Sequence, residues 1–190
     1  WELLSYGPPF SIELDPPAAS VAAQLREAMM VQRRSNTEMQ IYDTTAKFAR
    51  AERATLKKLL HAKGYHQAEV GFVIDGEQVV YRAQSGPIYR VRRLSYRIPR
   101  GVQWPPAADI GIGVGQPLEA RAVLDALQRF RSRLIRYNCL LDVDAGYTAL
   151  LDHDEHLAEL VFHVAPSEQV VFNRFTLTGL TEVNEEFLRR

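Results

Sequence analysis

An internal repeat constrains the fold of this chain more than any other sequence feature, because each repeated unit must build the same small core. In its first copy, apolar residues at helical spacing over 56–60 lead to Gly64, the residue type that ends helices in the left-handed conformation. Alternating apolar residues over 68–74 predict a strand. Asp75-Gly76 predicts a tight turn into a second strand over 78–83, so the copy contains a helix followed by a hairpin.

The second copy repeats this order further along the chain. A helix is predicted over 118–137, with Asn138 as its left-handed end, because Asn follows Gly in tolerating that conformation. Strands over 140–151 and 156–164 follow, and polar residues over 152–155 predict the turn between them. A longer turn is tolerated in the second hairpin because loop insertions cost little free energy.

Two further elements complete the unit, namely an opening strand and a first helix. In the first copy they are predicted over 10–14 and 18–33. In the second copy the strand is predicted over 88–98, whereas prolines and glycines over 104–115 leave the first helix short or irregular. The predicted fold class is α+β, with tandem β-α-α-β-β modules, each a three-stranded sheet with two helices on one face.

Pro-bearing connectors divide the chain into modules. Residues 1–9 form an N-terminal extension, 10–86 the first module and 87–167 the second, while 168–190 begin a third module that is cut off within a predicted helix. We therefore expect a fragment whose targeting segment and any membrane part lie outside it.

The spacing of apolar residues also predicts the two cores. Residues expected in the first group are Leu25, Phe48, Leu56, Leu59, Val70, Phe72, Val80, Val91 and Leu94. Residues expected in the second group are Leu124, Leu127, Leu134, Val143, Leu160, Phe162 and Val164.

Composition narrows the function. The 190 residues are 46% hydrophobic and 24% charged, and 23 basic residues balance 23 acidic ones. This balance gives no bulk attraction for nucleic acid, so we expect no nucleic-acid partner. No stretch approaches the roughly 20 apolar residues that a membrane-spanning helix needs.

Short motifs at the module boundaries add a family resemblance. They are LKKLLHAKGYHQAEV over 56–70, GPIYRVRRLSY over 86–96 and VVFNRFTLTGLTEVNEEFLRR over 170–190. They resemble parts of POTRA domains in the outer-membrane barrel-insertion superfamily. The first resembles the end of a helix and the strand after it, the second the connector that starts a domain, and the third the start of the following domain. Within it the chain looks most like the arm of the TamA type, the translocation and assembly module subunit. Asn138-Cys139 departs from the usual Gly-Tyr step.

The resemblance implies the periplasmic arm of an outer-membrane protein, with a membrane β-barrel following the arm in the whole protein. Such an arm would receive unfolded outer-membrane or autotransporter chains and contact an accessory periplasmic or inner-membrane protein. We expect no enzymatic activity, no catalytic residue, no cofactor and no bound metal. The alternatives are the arm of a two-partner secretion transporter, a one-module cell-division scaffold, and a metal- or nucleotide-dependent domain of an enzyme.

The small sheet suggests how such a chain would bind clients. An edge strand has unpaired backbone N–H and C=O groups, and an extended segment can add to it with little demand on sequence. The candidate edges are the first strands of the hairpins, over 69–74 and 143–150. The partner-binding residues predicted on them are Glu69, Gly71, Val73, Val143, Ala145 and Tyr147.

Other residues suggest chemistry that simpler explanations cover. The run from Asp152 to His156 contains metal-ligating side chains, but polar residues also collect at a predicted turn. Gly111, Gly113 and Gly115 lack the Lys-Ser or Lys-Thr step of a phosphate loop and predict a flexible connector. Cys139 lacks a catalytic context and is expected to behave as a small hydrophobe. The arginines over 90–100 are expected on a solvated face or at a salt-bridged contact between modules.

Overall fold

A computed structural model describes residues 7–35, 44–104, 109–138, 140 and 142–165. In chain order its elements are β1 (Phe10–Asp15), α1 (Ala19–Ser35), α2 (Thr45–Ala62), β2 (Glu69–Asp75), β3 (Gln78–Gln84), β4 (Arg90–Arg97), α3 (Ala120–Asn138), β5 (Ala145–Asp152) and β6 (Leu157–Val164). They form two α+β units, each with a three-stranded mixed sheet packed against helix. The predicted third module and Cys139 lie outside the described residues. No described helix is both long and apolar enough to cross a membrane.

The first module has the strand order β1-β3-β2, with β1 parallel and β2 antiparallel to the central β3. Helices α1 and α2 pack against one face of this sheet. Along β3, the side chains of Val79, Tyr81 and Ala83 are buried on the helix-covered face. Val80 lies on the opposite face, so its predicted core position is wrong. Since strand side chains alternate, adjacent Val79 and Val80 cannot both face the helices.

A buried ion pair holds the two helices of the first module together. Arg33 of α1 donates to both carboxylate oxygens of Glu52 of α2, at 2.5 and 2.6 Å. The hydroxyl of Tyr81 on β3 donates to the same carboxylate at 2.6 Å. Burial and the hydrogen bond to Glu52 raise the pKa of Tyr81 well above its ordinary value. The network therefore joins three elements through charged groups that have left water but keep their hydrogen bonds.

The second module repeats the strand order as β4-β6-β5. Its core holds a stack of aromatic rings, in which Phe130 of α3 lies 5.1 Å from Trp104, 5.7 Å from Tyr96 and 5.4 Å from Phe162 between ring centroids. Val91 and Leu94 belong to this core, so their predicted place in the first group is wrong, because both lie on β4 of the second sheet. These rings sit at the offset or tilted geometries that favour aromatic pairs.

Helix α3 buries its predicted core residue Leu134 and packs Leu127 against the core, but one predicted position differs. Its buried residues are Val123, Ala126, Phe130 and Leu134, which follow the three- and four-residue spacing of one helix face. Leu124 is 51% exposed, so its predicted core position is wrong. Two adjacent apolar residues, Val123 and Leu124, straddle the face boundary, and packing against the sheet selects the first.

The end of α3 also differs from the prediction. Asn138 is the last helical residue rather than a left-handed cap, and among the described non-glycine residues only His156 has a positive φ. The Asn138 side chain donates to the Leu134 carbonyl at 3.0 Å and to the Gln103 carbonyl at 2.9 Å, and it accepts from Gln103 N–H at 2.8 Å. It therefore satisfies a helix-end carbonyl with its amide and not through its backbone conformation.

The connector before α3 forms no helix over residues 98–104 and 109–117, so α3 is the second module's one helix in the described ranges. It is also not a flexible linker. Gly115 N–H donates to the Val91 carbonyl at 2.7 Å, and Val91 N–H donates to the Gln116 carbonyl at 2.9 Å. These bonds lay the connector along the start of β4.

Candidate functional site

Strands β2 and β5 lie at the edges of their sheets. Within the described ranges, β2 pairs with β3 and β5 with β6, and no other strand reaches their outer sides. Their outward N–H and C=O groups are therefore available to a further strand. Strand β4 is the opposite edge of the second sheet, but the connector covers its start, so β5 is the longer open edge of that sheet.

The first module places Glu69, Gly71 and Val73 on the face of β2 that the helices leave free, opposite Gln84, Arg82 and Val80. Val73 is 46% exposed. The missing side chain of Gly71 leaves a shallow groove, whose lining includes Glu13, Asp15 and Arg82. An added strand would meet backbone, one apolar side chain and charges that already pair with each other across the sheet, since Arg82 lies 3.0 Å from Glu13.

The second module places Ala145 and Tyr147 on the helix-covered side of β5, where Tyr147 remains partly exposed at the edge. Val143 is not on this edge. It precedes β5, its side chain is buried in the core, and its N–H donates to the Asp142 carboxylate at 2.7 Å. The predicted site therefore loses Val143, because the chain turns inward before the strand begins.

Two apolar side chains on the edges were missed by the sequence prediction. Leu150 on β5 is 59% exposed, and Ile74 stands beside Val73 near the end of β2. Strand alternation puts Leu150 on the free face, opposite Glu159, and could have identified it. Apolar residues on both edges supply contact area for a partner strand beyond its main-chain hydrogen bonds.

Arg92, in the arginine run of β4, forms its ion pairs within the second module. A register irregularity lies between Val91 and Arg93. Arg92 donates to Glu159 at 3.3 Å and to Glu155 at 2.7 Å, and the hydrogen bond to Glu159, with the charge of Glu155, raises the pKa of Arg92. These exposed pairs bind β4 to the β5–β6 turn and to β6, so Arg92 does not bridge the two modules as one prediction held.

The acidic and histidine residues at the β5–β6 turn have structural partners. The Asp152 carboxylate accepts from the N–H groups of Glu155 and Asp154, both at 3.1 Å, and these bonds lower its pKa. His156 takes the left-handed conformation, with φ of 56°. Within the described residues, no group of three His, Cys, Asp or Glu side chains is arranged to hold a metal ion.

A small set of residues joins the two modules, and we call it the joint: Gly64, His66 and Gln67 from the first module, and Tyr89, Leu118 and His153 from the second. Tyr89 N–H donates to the Gly64 carbonyl at 2.9 Å, and Leu118 N–H donates to the Tyr89 carbonyl at 2.8 Å. Gly64 ends α2 as predicted, with φ of 93°, and its N–H donates to the His61 carbonyl at 2.9 Å. One glycine thus serves both as helix end and as contact point.

Replacing Gly64 with Ala is expected to destabilise the first module by about 1–2 kcal/mol, the cost of a side chain in the left-handed region. The new Cβ would also lie 3.2 Å from the Leu118 carbonyl oxygen and 3.3 Å from Ile88 Cγ1, so the joint must open slightly. Gly76→Ala is the matched control, since it has φ of 59° and no neighbour within 4 Å. Urea unfolding and amide exchange at Tyr89 measure the two effects. Equal exchange at Tyr89 in both variants would contradict the role in the joint.

No protein-family model matches the chain, and no curated protein matches it. Among solved structures, it is similar to POTRA1-2 of the periplasmic domain of Omp85 from Anabaena, with 10% identity and a TM-score of 0.46 over 85% of this chain and 96% of that one. POTRA3-5 of BamA from Haemophilus influenzae gives 15% identity and a TM-score of 0.40 over 86% of this chain and 62% of that one. The N-terminal domain of Omp85 from Thermosynechococcus elongatus gives 14% identity and a TM-score of 0.38 over 84% of this chain. The chain spans 66% of the length of that domain.

These identities and TM-scores are low, so the fold stands on the element order and sheet topology of the chain itself. Both sheets place the last strand of the module at the centre, parallel to the opening strand and antiparallel to its hairpin partner. The chain is similar in structure to POTRA domains of Omp85 and BamA proteins.

Proposed function

We propose that this chain is part of the periplasmic arm of an Omp85-type outer-membrane assembly protein, and that it receives unfolded outer-membrane or autotransporter chains by strand addition. The TamA type is the subfamily we favour, on the boundary motifs. In this proposal a third module follows at 168–190, a membrane barrel follows further along the whole protein, and an accessory periplasmic or inner-membrane protein is the other partner.

The observation that supports this proposal is the recurrence of an open hairpin edge at the same place in both modules. Strands β2 and β5 are each the first strand of a hairpin and each lie outermost in their sheets. Main-chain hydrogen bonds to such an edge are indifferent to the side chains of the incoming segment. A receptor for many different clients needs this indifference, whereas an enzyme needs a convergent polar site.

The edges carry few of the devices that block strand addition. Natural edges are protected by inward-pointing charges, Pro or a covering loop. Neither β2 nor β5 contains Pro or Lys, and each has an exposed apolar residue, Val73 and Leu150. By contrast, the connector covers the start of β4. In the second sheet the hairpin strand β5 is therefore the more open edge, while in the first sheet the hairpin strand β2 and the opening strand β1 form the two edges.

Photo-crosslinking tests the proposal directly. A benzophenone amino acid replaces Val73 or Tyr147, and the probe is a urea-denatured outer-membrane β-barrel protein diluted into buffer. We expect crosslinks from both positions, because an added strand would lie within reach of each side chain. Val31 on α1 is the matched control, since it is apolar and 58% exposed but lies on a helix and not on a strand edge. Crosslinking from Val31 as strong as from Val73 would contradict edge binding.

Proline scanning supplies the second arm of this test. Pro removes a backbone N–H and cannot extend a ladder. Substitutions at Gly71, Val73, Ala145 and Tyr147 are expected to weaken probe binding wherever the lost N–H faces outward, with circular dichroism unchanged. If folded Pro variants at all four positions bind the probe as the parent does, the edges are not the binding surface.

A further inference from the structure

Four of the five histidines of the chain lie in one cluster with Tyr89 at the joint. His61 and His66 come from the end of α2 and the turn after it, in the first module. His153 and His156 come from the β5–β6 turn of the second. Tyr89 is fully buried between the two pairs. The fifth, His163, lies elsewhere, on the helix-free face of β6.

Ring contacts connect the cluster across the module boundary. His66 lies 5.0 Å from Tyr89 between ring centroids, edge to face, and His61 lies 5.8 Å from His66. From the other side, His156 lies 5.6 Å from Tyr89, and the Tyr89 hydroxyl is 2.7 Å from His153 Nδ1. Gln67 also donates to the His153 carbonyl at 3.0 Å. Of these contacts, the His66–Tyr89 ring contact and the Gln67–His153 hydrogen bond cross the module boundary, and the others hold the remaining histidines next to them.

The first-module histidines are placed where a positive charge is unfavourable. Nε2 of His61 and Nε2 of His66 are shielded from solvent, and neither has a hydrogen-bond partner among the described residues. Lys57 of α2 lies near His61, and His61 and His153 both face His66. Burial, followed by the charges of Asp152 and Asp154, raises the pKa of Tyr89. A proton on His66 would therefore add charge beside two further imidazoles, without an acceptor for its Nε2–H.

We propose that this cluster makes the joint acid-sensitive: protonation of His61 and His66 on acidification from neutral pH loosens the packing between the modules while each module stays folded. The joint fixes the position of the edge strand β2 relative to the edge strand β5. Loosening of the joint therefore changes the distance between the two edges that one client would have to span. This inference does not depend on the identity of the client.

The direction of the effect follows from linkage. Burial and the charge of Lys57 lower the pKa of His61 from the ordinary 6.5. Burial and the charges of His61 and His153 lower the pKa of His66 in the same direction. Separation of the modules removes the part of this effect that the second module supplies, namely the packing of His66 against Tyr89 and its repulsion by His153. The pKa of His66 then returns toward 6.5, so the separated state binds more protons. Packing at the joint is therefore fully stable above about pH 6.5 and weakens as the pH falls from there to the lowered pKa of the packed state.

Energy transfer between two dyes measures the joint. Cys139 is replaced by Ser, and dyes are attached at Val31→Cys on α1 and Leu124→Cys on α3, which are exposed positions in different modules. Between pH 7.5 and 5.0 we expect a reversible shift and broadening of the transfer efficiency, with far-ultraviolet circular dichroism unchanged. The double variant His61→Gln/His66→Gln cannot take up these protons and should lose the shift. His163→Gln is the matched control and should keep it.

Three results would overturn the proposal. The first is a transfer efficiency that does not change with pH in the parent chain. The second is a shift that persists in the His61→Gln/His66→Gln variant. The third is loss of secondary structure in the same pH range, which would mean that the modules unfold instead of separating. Crosslinking of the client probe at Val73 is read separately at pH 7.5, so failure of the joint proposal leaves the edge proposal standing.

Discussion

Replacing Arg33 with Met is expected to destabilise the first module by about 3–5 kcal/mol, because the substitution leaves the Glu52 carboxylate buried without its cation. The side chains of Arg33 and Glu52 are only 5% and 2% exposed, so water cannot replace the lost partner. Arg33 also donates to the Pro8 carbonyl at 2.9 Å and lies 4.3 Å from the ring of Phe10, contacts that Met cannot fully reproduce. Urea unfolding followed by circular dichroism gives the free energy of unfolding.

Two variants separate the cost of a buried, unpaired charge from the loss of packing. In Arg33→Met/Glu52→Gln the charge is gone and Tyr81 still has an acceptor, so we expect part of the stability to return. Arg82→Met is the matched surface control, since the Arg82 and Glu13 side chains are 64% and 59% exposed, and it should cost less than about 1 kcal/mol. A loss for Arg33→Met no larger than for Arg82→Met would show that the buried pair is not critical.

Replacing Phe130 with Ala is expected to destabilise the second module by about 3–5 kcal/mol, through lost burial and the cavity left among the rings. Phe130 is fully buried and contacts Tyr96, Trp104 and Phe162, which come from β4, the following connector and β6. Because it is the ring that α3 inserts into the core, its removal should also loosen that helix. Amide exchange along α3 is expected to rise together with the loss in unfolding free energy.

Leu124→Ala on the same helix provides the comparison for Phe130→Ala. Leu124 faces solvent, so its truncation should change the stability by less than about 0.5 kcal/mol. A large loss from Leu124→Ala would mean that α3 is rotated so that Leu124 faces the core, as its apolar character predicted. The pair of variants thus tests the rotation of α3 about its own axis.

Local chemistry was enough to predict most elements. Gly64 ends α2, and Gly76 lies in the tight turn between β2 and β3, one residue beyond the last strand residue Asp75, because both glycines adopt backbone conformations that few residues tolerate. The errors fall where two neighbouring residues satisfy the same local pattern. Val79 and Val80, like Val123 and Leu124, are similarly apolar, and only packing against a partner element selects which one faces inward.

The candidate site was predicted in part for the same reason. The sequence identified the hairpin strands, and it placed Glu69, Gly71 and Val73 on the strand that proves to be the edge β2. It placed Val143 on β5 because apolar character alone does not mark where a strand begins. Asn138 was assigned a backbone role, although its side chain caps the Leu134 carbonyl and also bonds to Gln103, far away in sequence.

The order of residues along the chain is enough to predict two similar α+β modules, because helix ends, turns and strand alternation are properties of short segments. Which strand is central and which edge is free became known only from the folded molecule, since strand order depends on pairings between distant segments. The ion pair between Arg33 and Glu52 and the packing of histidines from both modules around Tyr89 also became known only from the folded molecule. Such contacts join residues far apart in the chain, and no local spacing encodes them.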